Sequence, residues 1–276
     1  MWVKIVSTGH HVDALKTSDR EELKMIEKIG LQAYSVREHM KDEESIRESF
    51  AKLKAMGYNT IQTAGCAVPH AVYGKLAKEA GLEICGTHEN FDTLTGDPEL
   101  AMENHKALDT KNIGIGGYWE LGTEEKVKEF IARANKFADT IAQKGFKFTY
   151  HNHMHEFRRV GGKTVMDWLI EGLDPDTTSF VLDTYWVQFG GGDVRHMIER
   201  LDGRIDILHL KDMKIKEDNT QSITEVGNGT LWWDAIIPAA EQIGVKYFVV
   251  EEDYCDGDEF DCVRQSINYL SRFIKK

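Results

Sequence analysis

The chain has 276 residues and carries 34 Lys and Arg against 46 Asp and Glu, which gives a formal net charge of −12. This length excludes a small disulfide-stapled module and fits one large α/β domain or two small ones, and 41% hydrophobic residues suffice for a sizeable core. The acidic excess argues against nucleic acid and an anionic membrane surface as partners, because both are bound through Lys and Arg.

Cysteine usage and hydropathy predict a cytoplasmic protein. The four cysteines, at positions 66, 85, 255 and 262, form no CxxC pair, and a chain of this length does not need disulfide bonds. The start has no apolar run long enough for a signal peptide, and no stretch approaches the ~18 apolar residues of a membrane helix.

Short β-type segments alternate with longer helical patterns along the chain. The eight predicted strands are LQAYSV (31–36), TIQTAG (60–65), LEICGTHENF (82–91), NIGIGG (112–117), FKFTYHNH (146–153), SFVLDTYWV (179–187), IDILHLKD (205–212) and KYFVVEED (246–253). A helical pattern follows each strand. The helix after the second strand has Pro69 suited to its first turn and Gly81 suited to its C-terminal cap.

The number of these units predicts the fold class. Alternating strands and helices need parallel strands joined by crossover helices. Eight such units suit a closed (β/α)8 barrel, the TIM barrel, which typically takes about 250 residues; an open doubly wound sheet is the alternative. We expect one barrel domain over residues 29–276 and a short N-terminal extension over 1–28, which covers the bottom of the barrel or mediates contacts.

Polar side chains are concentrated where the late strands end, which is where barrels of this kind form their active sites. His151 and His153 end the fifth strand on the same side of it, because side chains alternate along a strand. Asp183, His209 and Glu251 end the next three strands. Their carboxylates and imidazole suit a divalent cation, Mn²⁺, Mg²⁺, Co²⁺ or Zn²⁺. Alternatively, the carboxylates cap helices or pair with a lysine.

Several runs together resemble a known family. The runs YHNHMHEF, VLDTYWV, HLKD and VVEED, with LQAYSVR near the start, are similar to the sugar phosphate isomerase/epimerase superfamily of xylose isomerase-like TIM barrels over about residues 29–275. This resemblance implies one divalent metal ion, with Mn²⁺ favoured, held by Asp183, His209, Glu251 and a fourth ligand. Many relatives end the fifth strand with a glutamate, where this chain has His151. We predict Glu156 as the fourth ligand and His151 as its alternative.

The resemblance also implies the chemistry. The substrate would be a sugar, keto-sugar or inositol derivative, reacting through an enediolate that the metal ion stabilises. The proton-transferring candidates are His151, His153, Glu156 and Glu251. For His153 the alternative is a hydrogen bond that orients a metal ligand. Lys211, on the same side of its strand as His209, is predicted to hold a substrate oxygen and to take part in catalysis.

Other positions contribute weaker expectations. His88 and Gln32, near the ends of early strands, are predicted to contact the substrate. Gly227-Asn228-Gly229, after the seventh strand, binds an anion or only turns the chain. The resemblance implies a homo-oligomer.

Four functions remain open from the sequence. The first is a metal-dependent isomerase or epimerase, and the second is a lyase or dehydratase acting on a 3-keto-sugar or keto-inositol, including cleavage of C-glycosides. An endonuclease for abasic DNA shares the barrel, but the net charge of −12 argues against it. The fourth is a sugar-binding barrel without catalysis.

Overall fold

A computed structural model describes residues 26–274, so most of the predicted extension, residues 1–25, lies outside the described part of the chain. The barrel strands are β1 (Ile29–Gln32), β2 (Thr60–Ala64), β3 (Glu83–His88), β4 (Asn112–Ile115), β5 (Lys147–His151), β6 (Thr178–Asp183), β7 (Ile205–Leu210) and β8 (Tyr247–Val250). They pair in parallel in the order β3-β2-β1-β8-β7-β6-β5-β4.

Helices alternate with these strands. They are α1 (Glu43–Met56), α2 (His70–Ala80), α3 (Phe91–Gly96), α4 (Pro98–Ala107), α5 (Glu124–Ala142), α6 (Val165–Gly172), α7 (Thr184–Phe189), α8 (Val194–Arg200), α9 (Trp233–Gln242) and α10 (Glu259–Leu270). As predicted, α2 begins after Pro69 and ends at Gly81, whose φ of 71° suits glycine. The predicted (β/α)8 barrel is confirmed. No helix within residues 26–274 is long and apolar enough to cross a membrane.

The barrel closes between β3 and β4, at a junction that we call the β3–β4 seam. Within residues 26–274, the backbone pairing there is a single bridge between Glu89 and Ile115. The Glu89 N–H donates to the Gly114 carbonyl at 2.9 Å, whereas the Gly114 N–H donates to the side-chain oxygen of Thr87 at 3.2 Å. Side chains therefore replace part of the backbone ladder at this seam.

Inside the barrel, one apolar layer lies below the mouth. Its buried members are Cys85, Val181, Ile207 and Val249. Because a strand turns every second side chain to the same face, the residue two positions further on also points inward. In β6, in β7 and after β8, that next inward residue is Asp183, His209 and Glu251. The register aligns Asp183 with His209, which brings these side chains together.

All eight strands are shorter than the sequence pattern indicated, and two of them end where a side chain caps a helix. Gln32 ends β1, and its side-chain oxygen accepts a hydrogen bond from the Tyr34 N–H at 3.2 Å, at the start of a 3₁₀ helix over Ala33–His39. Asp183 ends β6 and accepts one from the Trp186 N–H at 2.9 Å, where α7 begins. The β-type residues after each cap are helical.

Candidate active site

Four buried side chains form a compact group at the mouth of the barrel. They are His151, Asp183, His209 and Glu251, which we call the mouth cluster. Each offers one ligand atom, and the four atoms all lie within 4.8 Å of one another. Asp183 and His209 have no exposed surface, and His151 and Glu251 have almost none. The barrel thus brings together the three predicted strand-end ligands and the predicted alternative for the fourth.

Both imidazoles of the mouth cluster are anchored by one nitrogen and face the carboxylates with the other. His209 donates from Nε2 to the side-chain oxygen of Gln62 at 2.5 Å, and its Nδ1 lies 2.8 Å from Glu251 Oε2. His151 donates from Nδ1 to the Gly116 carbonyl at 3.2 Å, and its Nε2 lies 3.4 Å from Asp183 Oδ2. Metal-binding histidines are typically oriented in this way. The donor set therefore fits a divalent cation.

Lys211 lies among three carboxylates. Its Nζ is 3.0 Å from Asp183 Oδ2, 2.8 Å from Glu251 Oε2 and 3.0 Å from Asp253 Oδ1. Burial alone would lower the pKa of Lys211, but the three carboxylates raise it well above its usual range, so this side chain is cationic. An ammonium has three N–H donors, and each has a carboxylate partner here. A cation in the mouth cluster would share two of these oxygens with Lys211.

Asp183 serves a helix and the mouth cluster at once. Its Oδ1 accepts the hydrogen bond that caps α7, while its Oδ2 faces His151 and Lys211. From the sequence, helix capping and metal binding were alternatives for this residue. The geometry makes them compatible, because each function uses a different oxygen.

Glu156, the predicted fourth ligand, lies apart from the mouth cluster. Its side chain is fully buried, and burial raises its pKa to about 8. Its Oε1 accepts a hydrogen bond from the Tyr150 hydroxyl at 2.6 Å, and its Oε2 accepts one from the His153 N–H at 2.8 Å. Glu156 therefore fixes the backbone of His153, and His151 takes the fourth place in the cluster.

A cavity of about 410 Å³ opens onto the mouth cluster, and its lining includes His88, His153 and Trp119. The His153 ring lies 4.7 Å from the ring of Trp119 and 5.4 Å from that of Trp186. Burial lowers the pKa of His153 below its usual value, so its ring is neutral and able to accept a proton. The buried Nδ1 of His153 has no hydrogen-bond partner among residues 26–274.

The hydrogen bonds of Gln32 settle which nitrogen of His88 carries a proton. The oxygen of Gln32 accepts from the Tyr34 N–H, so its amide nitrogen, 3.1 Å from His88 Nδ1, is the donor. Burial keeps the pKa of His88 well below its usual value, so the ring is neutral and its proton is on Nε2. That Nε2 is buried and has no partner in the described part of the chain. His88 can therefore donate to a ligand, and Gln32 orients it.

Two residues at the site were given no role from the sequence. Gln62, in β2, anchors His209, and Asp253, just after β8, pairs with Lys211. The available signal was a polar side chain inside the predicted strand TIQTAG, and the structure shows that Gln62 is fully buried. His155, by contrast, faces away from the mouth cluster and approaches the Tyr118 carbonyl with its Nε2 at 3.0 Å.

The backbone of Gly227-Asn228-Gly229 surrounds the carboxylate of Asp212. The N–H groups of Gly227 and Gly229 donate to Asp212 Oδ2 at 2.9 Å and 3.2 Å. The side-chain N–H of Trp233 donates to the same oxygen at 2.7 Å. The N–H groups of this loop thus already have an anionic partner, and the motif shapes the loop after β7.

Comparison with known proteins gives a family and several relatives. The model of the xylose isomerase-like TIM barrel family matches residues 50–273. An inosose dehydratase from Geobacillus thermodenitrificans (strain NG80-2) is 30% identical over 211 residues, covering 70% of this chain and 65% of that protein. The chain therefore spans slightly less than two thirds of the length of this curated relative.

Solved structures resemble the whole barrel. A sugar phosphate isomerase/epimerase from Parabacteroides distasonis ATCC 8503 has a TM-score of 0.75 and 24% identity, covering 90% of this chain and 96% of that one. A second protein of the same name and source has a TM-score of 0.73 and 25% identity, covering 91% of this chain and all of that one.

Proposed function

The chain belongs to the xylose isomerase-like TIM barrel family, and on this basis we propose that it is an enzyme that removes a proton beside the carbonyl group of a cyclic carbohydrate. The observation that carries the proposal is the mouth cluster beneath a cavity where His153 presents an Nδ1 that has no hydrogen-bond partner within residues 26–274. We propose a keto-inositol or keto-sugar as the substrate and loss of water as the reaction. The name of the Geobacillus relative, inosose dehydratase, supports this choice.

His151, Asp183, His209 and Glu251 are the residues that would hold a divalent cation, with Mn²⁺ favoured. When bound, such a cation polarises a substrate carbonyl as a Lewis acid. His88 Nε2–H donates a hydrogen bond to a substrate oxygen. A second oxygen reaches Lys211 by replacing Asp253, which lines the cavity and whose side chain is 26% exposed.

His153 moves the proton. Its Nδ1 takes the proton from the carbon beside the carbonyl, and the resulting imidazolium returns it to the hydroxyl group on the next carbon. The C–H and C–O bonds break, a C=C bond conjugated with the carbonyl forms, and water leaves. Glu156 positions His153 through its backbone N–H. Trp119 and Trp186, which flank the ring, limit the access of water to it.

Isomerisation or epimerisation is the second candidate. It begins with the same proton removal, and the single base His153 could return the proton to a neighbouring carbon instead. The name of the Parabacteroides protein with 25% identity supports this candidate. The two reactions differ in whether the product has lost a water molecule.

The test follows the metal ion, the proton and the water separately. The purified protein, loaded with Mn²⁺, is incubated with an inosose and with 3-keto-sugars in D₂O. NMR reports exchange of the proton beside the carbonyl, and mass spectrometry reports loss of water. We expect exchange and water loss, about 100-fold or more slower in His153→Gln because a general base is removed. His196→Gln, a control at an exposed histidine of α8, retains the wild-type rate.

The outcomes separate the proposals. Exchange without loss of water would support the isomerase or epimerase and contradict the dehydratase. If Asp183→Asn and Glu251→Gln neither weaken Mn²⁺ binding nor slow exchange, the assignment of the mouth cluster is wrong. If neither class of substrate exchanges a proton with the loaded protein, the enzymatic proposal fails.

A further inference from the structure

A second group of ligand-type side chains lies just beyond the ends of β2 and β3. Cys66 follows the end of β2, His70 is the first residue of α2, and Glu89 follows the last residue of β3. One ligand atom from each side chain lies within 4.8 Å of the other two. The three come from three different elements, so the fold of the barrel, rather than one local turn, brings them together.

From this arrangement we propose a second metal site, for Zn²⁺, formed by Cys66, His70 and Glu89. Sulfur, imidazole nitrogen and carboxylate oxygen are the ligand atoms that zinc takes in proteins. Thiolate ligands favour Zn²⁺ over Mg²⁺, Ca²⁺ and Mn²⁺, so this site and the mouth cluster have different metal preferences.

The observed spacing suits tetrahedral coordination. Two ligand atoms bound at about 2.1 Å to a tetrahedral zinc ion lie about 3.4 Å apart. His70 Nε2 and Glu89 Oε1 are 3.5 Å apart, close to that value. The side chains of His70 and Glu89 are 24% and 20% exposed, which leaves a path for the ion. Three protein ligands leave the fourth position to water.

A buried hydroxyl near Cys66 points to that fourth ligand. Tyr73 lies one turn after His70 on α2 and is 2% exposed. Its hydroxyl has no hydrogen-bond partner among the described residues, 26–274. Tyr73 and Cys66 line the same cavity of about 360 Å³. A buried hydroxyl normally has a partner, and a zinc-bound water in this cavity would supply one.

The site would tie two loops together beside the candidate active site. Ala64, at the end of β2, lines both the cavity over the mouth cluster and the cavity beside Cys66. His88, which lines the first cavity, directly precedes Glu89. Zinc would therefore fasten the loop between β2 and α2 to the end of β3, next to the residues proposed to bind the substrate.

Cobalt distinguishes this site from the mouth cluster. The chelator-stripped full chain is titrated with Co²⁺, which replaces zinc and absorbs in the near ultraviolet only when a thiolate is bound to it. The mouth cluster contains no cysteine. We expect two equivalents of Co²⁺ to bind and one of them to produce the thiolate band. Cys66→Ser removes the band, and Zn²⁺ added to the wild-type protein displaces the cobalt that causes it.

The matched controls are two of the other cysteines, one partly exposed and one buried. Cys255→Ser tests a partly exposed thiol, and Cys262→Ser tests the thiol that lies near Glu225 and Glu252. Both should keep the band. His70→Gln and Glu89→Gln should weaken binding of the Co²⁺ ion that produces the thiolate band about tenfold or more. Cys66 is unchanged in both variants.

Several results would overturn the proposal. One is a wild-type protein that binds Co²⁺ without a thiolate band, and another is a band that survives in Cys66→Ser but disappears in Cys262→Ser. Far-ultraviolet circular dichroism of the metal-free variants shows whether they fold. Glu251→Gln, which changes a side chain of the mouth cluster and none of the three ligands proposed here, should keep the band. Failure of the proposed activity and failure of this site are therefore separate results.

Discussion

His105 shows how one buried imidazole supports the closure of the barrel. It lies in α4 and is 1% exposed. Its Nδ1 donates to the Ala101 carbonyl at 2.7 Å, so its Nε2 accepts a hydrogen bond from the Thr87 hydroxyl, also at 2.7 Å. The same Thr87 oxygen accepts the Gly114 N–H across the β3–β4 seam. Protonation of His105 would remove the acceptor that orients Thr87.

This arrangement predicts a pH-dependent contribution to stability. Burial lowers the pKa of His105 below 6.5, so the unfolded chain binds a proton that the folded chain does not. Stability from this residue is therefore full above about pH 7 and falls as the pH drops below about 6.5. His105→Gln should lose about 1–3 kcal/mol at neutral pH and have a shallower acid slope in urea unfolding. The exposed His196→Gln should keep the wild-type slope; equal slopes in all three proteins would contradict the role of His105.

Residues inside strands were more predictable than residues just beyond them. The position of Asp183, His209 and Glu251 at the ends of three consecutive predicted strands predicted that they converge, and the structure brings them together. Glu156 comes after β5, where the chain turns into a short 3₁₀ helix, and no periodicity indicates the direction of its side chain there. Gln62 was missed because its importance depends on His209, which is distant in sequence.

At the scale of an element, the loop after β7 is organised around one carboxylate. Asp212 Oδ1 accepts from the N–H groups of Met213 and Leu231, at 2.8 Å and 3.1 Å. With Gly227, Gly229 and Trp233 on Oδ2, five donors converge on this side chain. The sequence showed the glycines but left their partner open, because Asp212 lies fifteen residues before the first of them.

We therefore expect Asp212→Asn to be more destabilising than its small change in shape implies. The amide replaces one acceptor oxygen with an N–H donor that faces other donors, at a cost of about 2–4 kcal/mol. Urea or thermal unfolding measures the difference. Asp218→Asn is the matched control, because Asp218 is exposed and accepts only from Thr220 among the described residues. Similar small losses in both variants would show that the loop does not depend on Asp212.

At the scale of the whole molecule, the count of eight strand–helix units was enough to predict the architecture, since few folds accommodate so many parallel units in one domain. The lengths of individual strands were less predictable. LQAYSV and SFVLDTYWV contain β-forming residues beyond the true ends of β1 and β6, where the side chains of Gln32 and Asp183 start helices instead. Capping competes locally with β propensity, and composition alone does not decide the outcome.

Because of the β3–β4 seam, we expect backbone amides to exchange with solvent at different rates around the barrel, and hydrogen–deuterium exchange measures these rates. Local opening is easiest where few backbone hydrogen bonds must break together. Amides of residues 85–89 and 112–115 should therefore exchange earlier than those of β7, which is paired on both sides. Peptide mass spectrometry resolves these segments, and uniform protection around the barrel would contradict the expectation. A closed barrel can thus open preferentially at one junction between strands, and here that junction lies beside His88 and Glu89.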